Sequence, residues 1–233
     1  MESKLPPGYT LRMAASHADF RSFAGLAVHY HQWLDVDLCF QDFEHELASL
    51  PGSYAQPAGC ILLVSHSSCP ESASEDVACV AVRPLKGQAP PLPSTPHQHQ
   101  QHNAAHRLET SPTCELKRLW VEEPHQRFGL GRVLMAAALQ AIAGGMGYSS
   151  MVLDTLERLT SANRLYEQLG FEKIAAYYDN PLPGGAHTLW RQHNANDSIA
   201  PNVCTANAMC EQLVSPVMLR TASKLCHAGK TAA

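Results

Sequence analysis

The sequence predicts a mixed α/β chain of the α+β kind, with about six to seven strands flanked by helices. Short apolar runs rich in Val, Leu, Ile and Cys recur at strand length, at 9–13, 59–65, 77–82, 115–121 and 150–154. Between and after them, apolar side chains fall at helical spacing, most clearly at Leu130, Val133, Leu134, Ala137, Ala138, Ala141 and Ile142. Gly and Pro punctuate the boundaries, with Pro51-Gly52, Pro124 and Gly170 each closing an element.

In chain order, residues 1–8 form an N-terminal arm and 9–13 a first strand after Pro6-Pro7-Gly8. Helices are expected at 18–33, with Phe20, Phe23, Leu26, Ala27 and Tyr30 inward, and at 40–50, with Phe43, Leu47 and Leu50 inward. Strands 59–65 and 77–82 come after them, joined by a polar hairpin rich in Ser and Glu. From 86 to 113 the periodicity vanishes under prolines and a Gln/His alternation. This reads as a disordered insertion between the third and fourth strands, tolerable because loop-closure entropy grows only logarithmically with length. Strand 115–121, helix 130–142, strand 150–154 and helix 160–169 come next, and 171–178 with 188–191 are read as a last antiparallel pair. One domain therefore spans 9–191, and 192–233 reads as a disordered tail with a weak helical pattern at 210–219.

The chemistry concentrates between the strand at 115–121 and the helix at 130. Leu116, Arg118 and Trp120 alternate with Lys117, Leu119 and Val121, so each set is expected on its own face, with Glu115 beside Lys117 and Leu119. After Pro124, the loop Gln126-Arg127-Phe128-Gly129-Leu130-Gly131-Arg132 runs into the helix. Gly129 and Gly131 let backbone amides approach a ligand, and a helix N-terminus favours a phosphate. Neither common phosphate loop is present. Leu134 stands where the dinucleotide fingerprint needs its third Gly or Ala, and the single Gly-Lys-Thr, at Gly229, has Lys224 where the first glycine belongs.

The pattern Gln/Arg-x-x-Gly-x-Gly/Ala after a strand resembles the acetyl-CoA-binding signature of the GNAT acyltransferase superfamily. A second motif, Asn163-Arg-Leu-Tyr166-Glu-Gln-Leu-Gly170-Phe171, stands at the family's separation after the strand at 150–154, and the resemblance spans roughly 9–190. It implies the GNAT fold, a mixed and mostly antiparallel central sheet flanked by helices, with acetyl-CoA as acyl donor. It further implies that Gln126, Arg127, Phe128, Gly129, Leu130, Gly131 and Arg132 hold the pyrophosphate. Leu119, Trp120 and Val121 then pair with the pantetheine arm, where the strand splays from its neighbour, and Asn163 reaches the cofactor. Tyr166 takes the position of the general acid for the departing thiolate, a role that suits a phenol. Glu115, eleven residues before Gln126, takes the position of a catalytic base in some members, notably histone-type enzymes. An ion pair with Lys117 or Arg118 is the competing reading, and other members use ordered water.

These readings point to an N-acetyltransferase acting on a primary amine of a small molecule, an amine or amino acid, with a protein N-acetyltransferase or a non-catalytic acyl-CoA-binding module as alternatives. Composition fits. A net charge of −4 with no basic run argues against nucleic acid, and no run reaches the length of a membrane span. The first twenty residues lack a secretory core, so the chain is expected in the cytoplasm as a monomer or homodimer. The eight cysteines contain no Cys-x-x-Cys and read as free thiols. His97, His99, His102 and His106 lack carboxylate or thiol partners in an ordered frame, so no metal is expected.

Overall fold

The computed structural model describes residues 5–36, 42–69, 72–85, 112–142, 146–174 and 186–192. Strand β1 (Tyr9–Met13) leads into helix α1 (His17–Leu34) and the short α2 (Phe43–Ala48). Strands β2 (Cys60–His66), β3 (Glu75–Pro84) and β4 (Thr113–Val121) come next. Helix α3 (Leu130–Ala141), β5 (Ser150–Leu156), α4 (Thr160–Gln168), β6 (Glu172–Ile174) and β7 (Ala186–Gln192) complete the order. The boundaries lie within a few residues of those expected. The expected strand 171–178 is described only as far as Ile174; of the expected disordered insertion 86–113, Thr113 instead opens β4, and 86–111, the 210–219 pattern and the rest of the tail lie outside the described residues.

One seven-stranded sheet runs β1-β2-β3-β4-β5-β7-β6. Every neighbouring pair is antiparallel except β4 with β5, which the α3 crossover makes parallel. Alternation sorts β2 cleanly: Cys60, Leu62 and Val64 face α3 and Tyr166, whereas Ile61 and Leu63 face Phe23 and Leu26 of α1. The sheet therefore carries α3 and α4 on one face and α1 and α2 on the other. Helix α3 buries eight of its residues against its face, the alanines allowing close approach to the strands. Helix α1 starts on a reciprocal cap: Ser16 Oγ accepts from Asp19 N and Asp19 Oδ2 accepts from Ser16 N.

The expected alternation fails in β4. Cys79 lies opposite Trp120 and Ala81 opposite Lys117, so three steps on β4 match two on β3. The extra residue is Arg118, in the left-handed region at φ 56°, which costs a non-glycine residue about 1 kcal/mol. The bulge reverses the parity of the residues after it. Leu116 faces α3, while Trp120 faces α1 against Phe23 and Tyr54; Leu119 leaves the face it was expected to share with Glu115 and packs with Val121 on the α3 side.

The β1–α1–β3 corner is pinned by charge. Arg12 Nη2 donates to Asp76 Oδ2 at 2.8 Å and to Asp19 Oδ1 at 2.9 Å, and Ser22 and Ser65 also donate to Asp76. Burial alone would push both carboxyls up. Hydrogen bonds from Arg12, Ser22 and Ser65 hold Asp76 below the usual range, and those from the Ala15 amide, Ser16 and Arg12 do so for Asp19. A carboxyl depressed in the folded state stabilises above its unfolded pKa of about 4, and that contribution is lost as pH falls through the folded value. Asp76→Asn should therefore be less stable than the parent at pH 7 and show a shallower loss of urea midpoint between about pH 4 and pH 2. Parallel curves for the two proteins would refute this role.

Candidate active site

The bulge coincides with a fork in the sheet. Strand β4 pairs with β5 only through Thr113–Glu115 against Ser150–Val152, whereas β5 continues to Leu156 paired with β7. Beyond Glu115 the two strands diverge. The edge of β4 from Leu116 to Val121 that faces away from β3 is thus left without β5 as a partner. The divergence leaves a gap between the strands, here called the slot, at the C-terminal end of the one parallel pair, where a crossover helix begins.

The mouth of that slot is the loop before α3. Arg127 (φ 67°) and Gly129 (φ 80°) both adopt left-handed backbone around the exposed Phe128. Such alternation turns successive N–H groups inward into an anion-binding nest. Gly129 is the N-cap of α3 and receives no side-chain cap; Val133 N bonds its carbonyl, which leaves the amides of Leu130, Gly131 and Arg132 without intrahelical acceptors. A Cβ on Gly129 would meet nothing within 4 Å and so would project into the open space above those amides. These donors, with the helix dipole behind them, suit an anionic group such as a phosphate. Gln126 Nε2 donates to Val121 O at 3.1 Å, closing the loop onto the end of β4, and Arg132 bonds Gln168 of α4.

Tyr166 lies on α4, on the α3 side of the sheet, 6% exposed with its ring against Phe171. Burial pushes its phenol well above the ordinary value, and Tyr30 adds to the rise. Tyr30 is on α1, on the opposite face, against Trp120 with ring centroids 5.8 Å apart. Tyr166 is carried by α4, the helix that follows β5, the strand from which β4 parts at the fork.

Glu115, at the vertex of the fork, is 4% exposed. Its Oε2 receives Arg83 at 2.8 Å and its Oε1 lies 3.1 Å from Lys117 Nζ, so the ion-pair alternative is what the structure displays. Burial pushes the Lys117 ammonium below its ordinary value, against opposing pulls from Glu115 and Asp154. Glu46 of α2 receives Arg118 Nε and Nη2 on its two oxygens, each at 3.0 Å, and Arg83 stands 3.7 Å from it. Breaking such a buried pair on one side costs about 3–5 kcal/mol, since it strands a charge in the interior.

The fold places Leu119 and Val121 on the α3 side of β4 and Trp120 on the α1 side, with the loop from Gln126 to Arg132 leading into α3 and Tyr166 buried on the α3 side. Asn163 is committed elsewhere: its Nδ2 donates to Leu156 O and Glu157 O, and its Oδ1 accepts from Thr155, tying the end of β5 to α4. The sequence reading missed Glu46, Arg83 and Tyr30 because their partners are distant in the chain. It also missed the exposed His29–Glu122 pair, at 2.6 Å, where α1 meets the end of β4. A buried-period glutamate in a short amphipathic helix was the one local signal, since Glu46 lies between the apolar positions Phe43 and Leu50. Among the described residues no group of His, Cys, Asp and Glu is arranged to hold a metal, and no helix is long and apolar enough to cross a membrane.

Comparison with known proteins agrees with this geometry. The family model for the acetyltransferase (GNAT) domain matches residues 60–173. An uncharacterized N-acetyltransferase of Schizosaccharomyces pombe is 34% identical over 165 residues, covering 71% of this chain and 83% of that protein. An acetyltransferase structure from Streptococcus agalactiae superposes with a TM-score of 0.55 at 15% identity, over 80% of this chain and 99% of that one. A Salmonella typhimurium structure solved with its cofactor acetyl-CoA does so at 0.50 and 18% identity, over 84% and 99%. A relative of this similarity shows that the chain belongs to the GNAT family of N-acetyltransferases, for which acetyl-CoA is the acyl donor.

Proposed function

We propose that the chain moves the acetyl group of acetyl-CoA to the primary amine of a small molecule, an amine or amino acid, by direct attack on the thioester. The observation that carries this reading is the buried Tyr166 on the helix that follows β5, the strand with which β4 stops pairing after Glu115. The donor enters along the edge of β4 with its pyrophosphate on the amides of Leu130 to Arg132, and Arg127 and Arg132 add positive charge there. Main-chain donors of Leu119 to Val121 hold the pantetheine arm and stabilise the oxyanion that forms as the amine attacks. The carbon–sulfur bond then breaks, and Tyr166 protonates the leaving thiolate.

Glu115, held by two cations, orients Lys117 in this reading; the ammonium proton leaves through water at the slot mouth, beside Glu122 and His29. Asn163 acts by fixing the helix that carries Tyr166. An amino-acid acceptor draws support from the buried Lys117–Glu115 pair, 3.1 Å apart beside the fork, a fixed pair of opposite charges that suits a zwitterion. It also draws support from a relative named N-acetylaspartate synthetase in Xenopus tropicalis, 33% identical over 86 residues, which cover 37% of this chain and 31% of that protein.

Two variants test the assignment in a screen of free amino acids and small amines. Tyr166→Phe should lower kcat about 100-fold while leaving the acetyl-CoA KM within about threefold. Because burial raises the Tyr166 pKa, the phenol stays protonated throughout the neutral range. The alkaline limb of kcat below pH 10 should therefore keep its shape in the Phe variant; a limb that vanishes there would contradict the role. Gly129→Ala should instead raise the acetyl-CoA KM about tenfold or more, from a Cβ in the phosphate space and the loss of easy left-handed backbone. Unaltered KM in a folded Gly129→Ala protein would place the pyrophosphate elsewhere. Acetylation of peptides in preference to every free amine would favour the protein-acceptor alternative.

A further inference from the structure

The Glu46–Arg118 pair touches neither the loop that takes the phosphates nor Tyr166, and its side chains are only 6% and 3% exposed. It joins α2, on the α1 side of the sheet, to the single residue of β4 that breaks the pleat. Arg118 is fixed there from several directions. Glu46 engages its guanidinium at Nε and Nη2, the ring of Phe43 lies 4.8 Å beneath that guanidinium, and its carbonyl accepts from the Cys79 thiol at 3.3 Å. Arg83 continues the chain of charge, 3.7 Å from Glu46 and 2.8 Å from Glu115, and Glu115 is the last residue of β4 still paired with β5. The chain of charge therefore runs from α2 through the bulge to the vertex of the fork.

The bulge has an alternative. If Arg118 relaxes to extended backbone, parity after Lys117 reverses: Trp120 turns towards α3, and Leu119 and Val121 turn towards α1. The amides and carbonyls that β4 offers to the slot change with it. A non-glycine residue in left-handed backbone persists only where its surroundings over-determine it, and here those surroundings are Glu46 and Phe43.

We propose that Glu46 is a positioning residue for the acyl donor: by clamping Arg118 it holds the bulge, and with it the edge of β4 that the pantetheine arm pairs with. The role is independent of which amine is the acceptor. It separates the two halves of the donor, because the nucleotide half rests on the loop and α3, whereas the pantetheine half rests on β4.

Calorimetric titration of CoA and of its nucleotide half, 3′-phosphoadenosine 5′-diphosphate, tests this on the full chain. Removing one partner strands a buried charge, so the principal variant is the double replacement Glu46→Met with Arg118→Met, which leaves neither charge behind. CoA affinity should fall about tenfold or more while the nucleotide half binds within about twofold of the parent. Glu46→Gln, which keeps the shape and loses the charge, should shift CoA in the same direction by a smaller factor. If the double variant does not fold, the same two titrations on Glu46→Gln decide. Equal CoA affinity in a folded variant, or equal loss for both ligands, overturns the proposal.

Discussion

An extra residue in β4, accommodated at Arg118 in left-handed backbone, is the constraint on which the functional geometry depends. A strand that kept its pleat would carry Arg118 and Trp120 on the face of Leu116 and would leave Leu119 beside Lys117. The bulge instead gives the α1 side Glu115, Lys117, Arg118 and Trp120, and gives the α3 side Leu119 and Val121. It also sits just past the point at which β4 parts from β5. Bulges bend strands and end pairing, so one local irregularity accounts for both the fork and the reassignment of side chains.

The charged residues along β4 reinforce the same geometry. Lys117 and Arg118 are consecutive cations in a strand that packs on both faces, an arrangement that burial penalises heavily unless each finds a partner. Glu115 and Glu46 supply those partners, the first from two residues back and the second from α2. Helix α2 and strand β4 are thus joined by the Glu46–Arg118 ion pair, which neither element could keep alone. This explains why the chain tolerates so much charge in its interior. It also explains why Glu115, whose spacing from Gln126 matches that of a catalytic glutamate, is bound to two cations.

Much of this was legible in the sequence, and the failures have physical causes. The glycine loop before α3 was readable because glycine at a helix N-cap is a local requirement: Gly129 needs left-handed backbone and open space, and the chain marks that need within seven residues. The helix that carries Tyr166 was readable through the motif around it. The bulge was not, because its left-handed residue is an arginine rather than Gly or Asn, and the partner of that arginine, Glu46, is distant in the chain and carried by a six-residue helix. Strict alternation was the sound expectation for residues 115–121, and the extra residue at Arg118 breaks it. Asn163 was assigned to the cofactor from its motif position, whereas its hydrogen bonds secure the turn between β5 and α4.

The measurement that bears most directly on this account is amide hydrogen exchange of the wild-type protein with and without saturating CoA. The slot reading predicts slowed exchange at those amides of Leu119 to Val121 that β3 does not engage, and at Leu130 to Arg132, with β1 and β2 unchanged. Protection confined to the α3 loop, with the edge of β4 exchanging as in the free protein, would contradict the claim that the fork holds the acyl arm.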